Sequence, residues 1–426
     1  MGSFMKEEFL HYLWQFRLIQ LPLMTTLGEK VEVINLGIHN SDAGPDFLQA
    51  KIKIGNTLWA GNIEIHIKAS DWFKHKHQND KSYNSTILHV VYDCDSDVQL
   101  ENGETPCCLE LKNRFNADLL HRYQSFLLSK KWIPCSGQMS AIPEISWNSL
   151  YTRMAVERLE SKTKALIKRQ EKNKNDWEES FYEVLCGTFG LKVNEEIFIR
   201  LAESLKLKKV ILLQPNLFSM EALLFGQSGM LQNKIFKDEY PRQLQKEYAY
   251  LAKKHQLHPL PGHLWKYLRL RPSNFPTIRI SQLAALLVNY QRLFSKSMDE
   301  ENLTGLRKIF QVEASAYWKT HYTWDKPTPS YPKKLSEARI NLIFINLIIP
   351  FLFLYGKLRS RNDLIERALG FMELLPAEKN KYCSDFSHEG LKIQNAFQSQ
   401  ALLHLKQNYC DLKKCLNCPI GLYLLR

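Results

Sequence analysis

Two apolar runs separated by Gly55-Asn56 constrain this chain more than anything else in it. Phe47–Ile54 and the stretch closing with Asn62–Lys68 are rich in isoleucine, and the dipeptide between them suits a two-residue turn, so the region reads as a β-hairpin. Side chains two apart on a strand point the same way, which puts Glu64, His66 and Lys68 on one face. Asp46 stands just before the first run, after Pro45. Two carboxylates converging from neighbouring strands beside a basic group can hold a divalent ion and activate water against a phosphodiester.

Pleat counting sets a condition on that convergence. With a two-residue turn Ile54 pairs with Thr57, and Asp46 then falls opposite Ile65 instead of Glu64. The apolar pattern agrees, since Leu48, Ala50, Ile52 and Ile54 would share a face with Trp59, Ile63, Ile65 and Ile67. The carboxylates meet only if a bulge near Gly61, an odd-length loop, or an Asp46 lying ahead of the pleat reunites them.

Pro45-Asp46 followed by Glu64-x-His66 resembles the signature of the PD-(D/E)XK nucleases, with His66 where Lys is usual. The resemblance implies an α+β fold: an N-terminal restriction-endonuclease-like αβββαβ core, then a mostly helical C-terminal half. It also implies that Asp46 and Glu64 bind Mg2+ or Mn2+, that His66 or Lys68 activates water, and that Glu7 or Glu8 on the first helix contributes a further acid. Gly44–Phe47, Glu64–His66, Ser70–Trp72, His75-x-His77 and Ile87–Val91 together also resemble a large bacterial family with no established activity.

The order of elements suits such a core. Residues 5–20 have the spacing of an amphipathic helix, Val31–Leu36 reads as a strand, the hairpin follows, and Thr86–Asp93 is a further strand, with short ones near Val98–Glu101 and Cys107–Leu111. His75, His77, Asp80 and His89 form a second polar cluster, compatible with Zn, Mn or Fe because imidazole suits those ions. A metal-dependent hydrolase built on His75, His77 and Asp80 is therefore a rival reading. A third is a nucleic-acid-binding protein of the same fold that has lost turnover.

At 426 residues the chain is long enough for two or three domains, and helical spacing takes over after Trp147. The expected division is 1–135, nuclease-like, and 136–426, mostly helical. A net charge of +13 suggests a polyanionic partner, most simply nucleic acid. Lys266, Arg269, Arg271 and Arg279, interleaved with aromatic residues, are the candidate contacts, because guanidinium groups grip phosphate and rings stack on bases. Residues 1–10 contain acids and lack a long apolar core, and Leu342–Tyr355 is broken by Asn346 and Pro350, so neither reads as a signal peptide or a membrane span; a cytoplasmic protein is expected.

Nine cysteines in such a chain do not suggest a disulfide scaffold. Cys410, Cys415 and Cys418 lie within nine residues and can wrap one metal or cluster if a distant ligand closes the shell. Cys383 is the leading fourth ligand, with Cys135, His388 and His404 as alternatives, and Zn2+ or a [4Fe-4S] cluster as the occupant. One early and three late cysteines around [4Fe-4S] is also the layout of some helicase- and CRISPR-associated PD-(D/E)XK nucleases, which this spacing resembles in outline.

Overall fold

In the computed structural model, residues 5–40, 42–213 and 216–425 are described. The chain forms two compact units, the first made of residues 1–152, 385–391 and 403–426, the second of 153–384 and 392–402. The change from strand to helix spacing suggested a boundary at 135. The division falls instead inside the helix Glu144–Lys172, and the C-terminal segment carrying three cysteines returns to the first unit.

The first unit opens with α1 (Glu7–Gln15), whose Phe9, Leu10, Leu13 and Trp14 are buried. Seven strands among the described residues then make one sheet: β1 (Leu23–Met24), β2 (Lys30–Asn35), β3 (Ile38–His39), β4 (Phe47–Ile54), β5 (Thr57–Lys68), β6 (Thr86–Asp93) and β7 (Cys107–Glu110). The order is β1-β2-β4-β5-β6-β7, with β3 beside β4. β4 and β5 run antiparallel, whereas β5, β6 and β7 run parallel. Residues 98–101 form no strand.

The hairpin turn is the expected one, with Ile54 opposite Thr57 and Gly55 at φ 58°. Further along, the register slips by one between Phe47 and Ala50: Ala50 faces Gly61 but Phe47 faces Ile63. Gln49 sits in this bulge at φ 59°, its N–H donating to Asn62 Oδ1 at 3.1 Å. The slip exchanges two side chains, so that Phe47 enters the core in place of Leu48. Gly61 is required opposite, because a Cβ there would lie 2.5 Å from both Ile87 Cγ2 and the Ser85 carbonyl oxygen. Trp59, expected in the core, is 44% exposed at the outer end of β5.

One face of the sheet packs on α1 and on α3 (Ala117–Leu128), with Phe9 stacked on Tyr123 at 5.2 Å between centroids. The other carries a smaller cluster of Ala69, Trp72, Tyr83, Val91, Val98 and Leu100. The second unit is helical and includes Trp177–Ser204, kinked at Leu191, with Glu239–His255 and Pro276–Asn289. The apolar run that Asn346 and Pro350 were expected to break extends to a continuous 22-residue helix, Glu337–Leu358, long and apolar enough to cross a bilayer by composition. A π-turn at Phe344–Ile348 precedes Pro350, where the ring removes a donor and disturbs the regular ladder. Phe344, Leu347, Ile348, Phe351 and Leu352 are fully buried, so this helix is a core element of its unit.

Candidate metal centre

The bulge decides what the sheet can do chemically. By shifting parity within β4 it sets Asp46, one residue ahead of the strand, against Glu64 on β5. The Asp46 N–H donates to Glu64 Oε2 at 3.1 Å, and the Ile65 N–H donates to Asp46 Oδ2 at 2.9 Å. Two strand residues on, His66 points the same way, and the parallel neighbour β6 places His89 directly beside Glu64. His66 Nδ1 lies 2.9 Å from His89 Nε2.

Two more imidazoles arrive from the β5–β6 crossover. α2 (Asp71–Lys74) ends at His75, and Lys76 adopts a left-handed conformation at φ 63° before a short 3-10 turn begins at His77. This reversal, not strand alternation, aims both histidines of the His-x-His pair at His66. His66 Nε2 lies 3.1 Å from His75 Nδ1 and 3.5 Å from Glu64 Oε1, while His77 Nε2 lies 3.3 Å from the same Glu64 oxygen. Trp72 backs the group edge-on, 5.3 Å from His77 and 5.2 Å from His89, and Tyr83 stacks on His77 at 3.9 Å. The centre runs from fully buried His66 to exposed His75, which opens it to solvent.

α1 supplies a third side. Glu7 and His11 are one turn apart on the same face, and His11 Nε2 stands 3.3 Å from Asp46 Oδ2. Burial pushes Glu64 up to about 9, helped by the Asp46 charge. Burial likewise pushes His66 down to about 2 and His89 to about 4, with neighbouring imidazoles adding to the effect, and lowers His77. His11 moves the other way: burial disfavours its charge, but Asp46 outweighs that and raises it. Burial also raises Glu7. At neutral pH the centre therefore holds uncharged imidazoles, a carboxyl that resists ionisation, and one imidazole able to keep its proton.

This donor set fits a cation. His66, His75 and His77 each offer a nitrogen within 4.8 Å of the others. Bonds of about 2.1 Å to one ion leave neighbouring donors roughly 3.0 to 3.4 Å apart, in octahedral or tetrahedral geometry. The observed separations of 3.1, 3.3 and 3.5 Å are of that size. His77 Nε2 is buried and, although 3.3 Å from Glu64 Oε1, makes no hydrogen bond, as a ligand atom turned toward a shared ion would be. His66 is held from its far side by His89, which fixes Nε2 as the atom turned inward.

Asp46, Glu64 and His66 thus come together as the sequence suggested, joined by His75 and His77. Lys68 does not reach them: it is exposed, its Nζ 3.9 Å from Asp95. Asp80 also lies apart, accepting from the Ser82 N–H at 2.9 Å as an N-terminal cap of a 3-10 turn. Glu8 is exposed, whereas Glu7 faces the centre. His11 was missed, although Glu7-x3-His11 spacing on an amphipathic helix marks a shared face. In the second unit Lys266, Arg269 and Arg271 are exposed, but Arg279 is buried, donating to Gln282 at 2.7 Å and Asn274 at 2.6 Å. That bonding makes Arg279 a structural residue of its helix, not a phosphate contact. Cys383, the expected fourth thiol, belongs to the second unit, where its N–H is held by Asn380 at 2.9 Å. Cys410, Cys415 and Cys418 belong to the first.

Residues 7–381 match the family described as "Protein of unknown function (DUF2851)". The chain belongs to that family. No curated protein and no solved structure matches it. Nothing in the DUF2851 match links the chain to the PD-(D/E)XK nucleases, and the matched span includes every residue of the histidine centre.

Proposed function

We propose that the protein hydrolyses phosphodiester bonds of nucleic acid with a divalent transition metal held by His66, His75, His77 and Glu64. The observation that carries this reading is the meeting of three imidazoles and a buried carboxyl at spacings one ion would impose. Mg2+ takes oxygen donors, so the nitrogen-rich set favours Mn2+, Fe2+ or Zn2+. When bound, the ion supplies Lewis-acid chemistry, drawing charge from a phosphate oxygen and from water.

The chain's own residues supply the rest. Glu64 presents Oε1 to the imidazoles and Oε2 to Asp46, so it couples the ion to the acidic pair. Asp46 is positioned by the Ile65 N–H and in turn favours the charged form of His11. His11 is the group able to hand a proton to a leaving oxygen. The net charge of +13 supports a polyanionic substrate. An antiparallel hairpin continued by parallel strands, with α1 against it, is compatible with a restriction-endonuclease-like core, and that assignment and a cytoplasmic location belong to this proposal.

The test is metal-stripped protein supplied separately with Mn2+, Fe2+, Zn2+ and Mg2+, on end-labelled single- and double-stranded DNA and RNA. Cleavage is expected with a transition metal, lost in Asp46→Ala, Glu64→Ala, His66→Ala and His77→Ala and kept in Lys68→Ala. Binding without cleavage in every metal, or cleavage that survives Glu64→Ala and His66→Ala, overturns the proposal.

A further inference from the structure

Two cysteines that the histidine centre does not use meet within the first unit. Cys108 stands in β7, in register with His89 on β6. Cys94 follows the last residue of β6, where the chain turns: the Asp95 N–H donates to the Asp93 carbonyl at 3.2 Å, and the Cys94 N–H donates to Glu110 Oε1 at 3.1 Å. Ser70 fastens this turn, its N–H and its Oγ both donating to the Asp95 carboxylate at 2.8 Å. Val98 and Leu100 of the segment that follows pack with Trp72, whose indole N–H donates to the Gln99 carbonyl at 3.1 Å.

This path leaves Cys94 Sγ and Cys108 Sγ 3.2 Å apart, both as free and partly exposed thiols. Both pack against the small cluster around Trp72. Cys107 does not compete for Cys94, because adjacent strand residues point to opposite faces and Cys107 joins the larger core on the other one. A disulfide holds its sulfurs at about 2.05 Å, so closing the Cys94–Cys108 pair asks for a shift of about 1 Å.

We propose that Cys94 and Cys108 are a redox modification site, oxidised reversibly by low-molecular-weight disulfides to an intramolecular bond that clips residues 94–100 to β7. Cys94 Sγ, as the thiolate, attacks one sulfur of the oxidant, whose S–S bond breaks; the leaving thiolate takes up the proton that Cys94 released. Cys108 Sγ then attacks Cys94 Sγ in the mixed disulfide, and the second small thiol leaves with the Cys108 proton. Two protein thiols lose two electrons, and one small disulfide becomes two thiols. Burial holds the Cys108 thiol well above its ordinary value, with Cys94 adding to the effect, so the first attack falls to Cys94 and the second to a Cys108 already in contact with it. No ligand of the histidine centre takes part, and the exchange is independent of hydrolysis. Its consequence reaches that centre through Trp72, which backs His77 and His89 and is tied to the clipped segment at Gln99.

The experiment takes the full chain, reduced and freed of reductant, through buffers of rising oxidised-to-reduced glutathione ratio. Free thiols are then alkylated under denaturing conditions, and glutamate-specific cleavage separates Cys94 from Cys108 at Glu101 and Glu104. A Cys94–Cys108 cross-linked peptide, two hydrogens lighter than its reduced halves, should become the main form in oxidising buffer and vanish with dithiothreitol. Amide hydrogen exchange across residues 95–100 should slow severalfold in the linked chain. Cys94→Ser and Cys108→Ser should each abolish the link, and Cys107→Ser should leave it. Overturning results are Cys94 and Cys108 recovered as free thiols in the most oxidising buffer, Cys94 left as a stable mixed disulfide with glutathione, a link from Cys94 to Cys107, or exchange across residues 95–100 no slower in the linked chain.

Discussion

Glu64→Gln separates the cost of a buried acid from its use as a ligand. Glu64 is 4% exposed, and burial with Asp46 pushes it from its ordinary 4.5 up to about 9. The metal-free fold therefore keeps the proton that the unfolded chain releases. Relative to acid conditions, stability is lost as pH rises from about 4.5 through 9. At about 1.4 kcal/mol per tenfold change in proton affinity, that loss at pH 8 is on the order of a few kcal/mol. Glutamine mimics the neutral acid in shape and can accept from the Asp46 N–H. Thermal unfolding of metal-stripped protein should thus find the variant equal to wild type near pH 5 and several degrees more stable at pH 8. With metal the order reverses, because the variant offers no carboxylate: Mn2+ affinity by calorimetry should fall by more than about 100-fold, or about 2.7 kcal/mol. A variant less stable than wild type at both pH values, with Mn2+ affinity unchanged, would refute the reasoning.

The imidazoles give the opposite dependence on the acid side. His66 and His89 are pushed down to about 2 and 4, so the unfolded chain takes up protons first, and metal-free stability should fall as pH drops below about 6.5; His66→Asn should flatten that limb in chemical denaturation. Gly61→Ala places a methyl 2.5 Å from Ile87 Cγ2 and the Ser85 carbonyl, and should cost about 1–3 kcal/mol in urea unfolding while weakening metal binding. Arg269→Ala with Arg271→Ala should reduce the salt dependence of nucleic-acid binding by up to about two in log–log slope without affecting stability, whereas Arg279→Ala, which removes a buried guanidinium, should destabilise the second unit.

Residue pattern reached far into the sheet. The Gly55-Asn56 turn follows from composition, and the conflict between pleat parity and the carboxylate pair left three ways to reunite them, of which the structure shows a bulge between Phe47 and Ala50. What pattern could not reach depended on long-range packing. His11 joins the centre from α1, and His89, grouped in sequence with His75 and His77, meets the separate Glu64–His66 pair from β6, because neighbouring elements are not specified by local spacing. His75 and His77 converge only because Lys76 is left-handed, which its side chain does not signal. That Cys383 and the C-terminal cysteines fall in different units could not be read locally, because the last segment rejoins the first unit. Arg279 looked like its exposed neighbours because charge alone does not reveal burial.

Anomalous diffraction from crystals soaked in Mn2+ or Zn2+ addresses the histidine centre most directly. A peak about 2.1 Å from His66 Nε2, His75 Nδ1, His77 Nε2 and Glu64 Oε1 is expected, with His89 still holding His66 Nδ1 from behind. Density showing those four side chains bonded only to one another or to water at saturating metal would mean the cluster is a packed polar core, and the hydrolytic reading would fall with it.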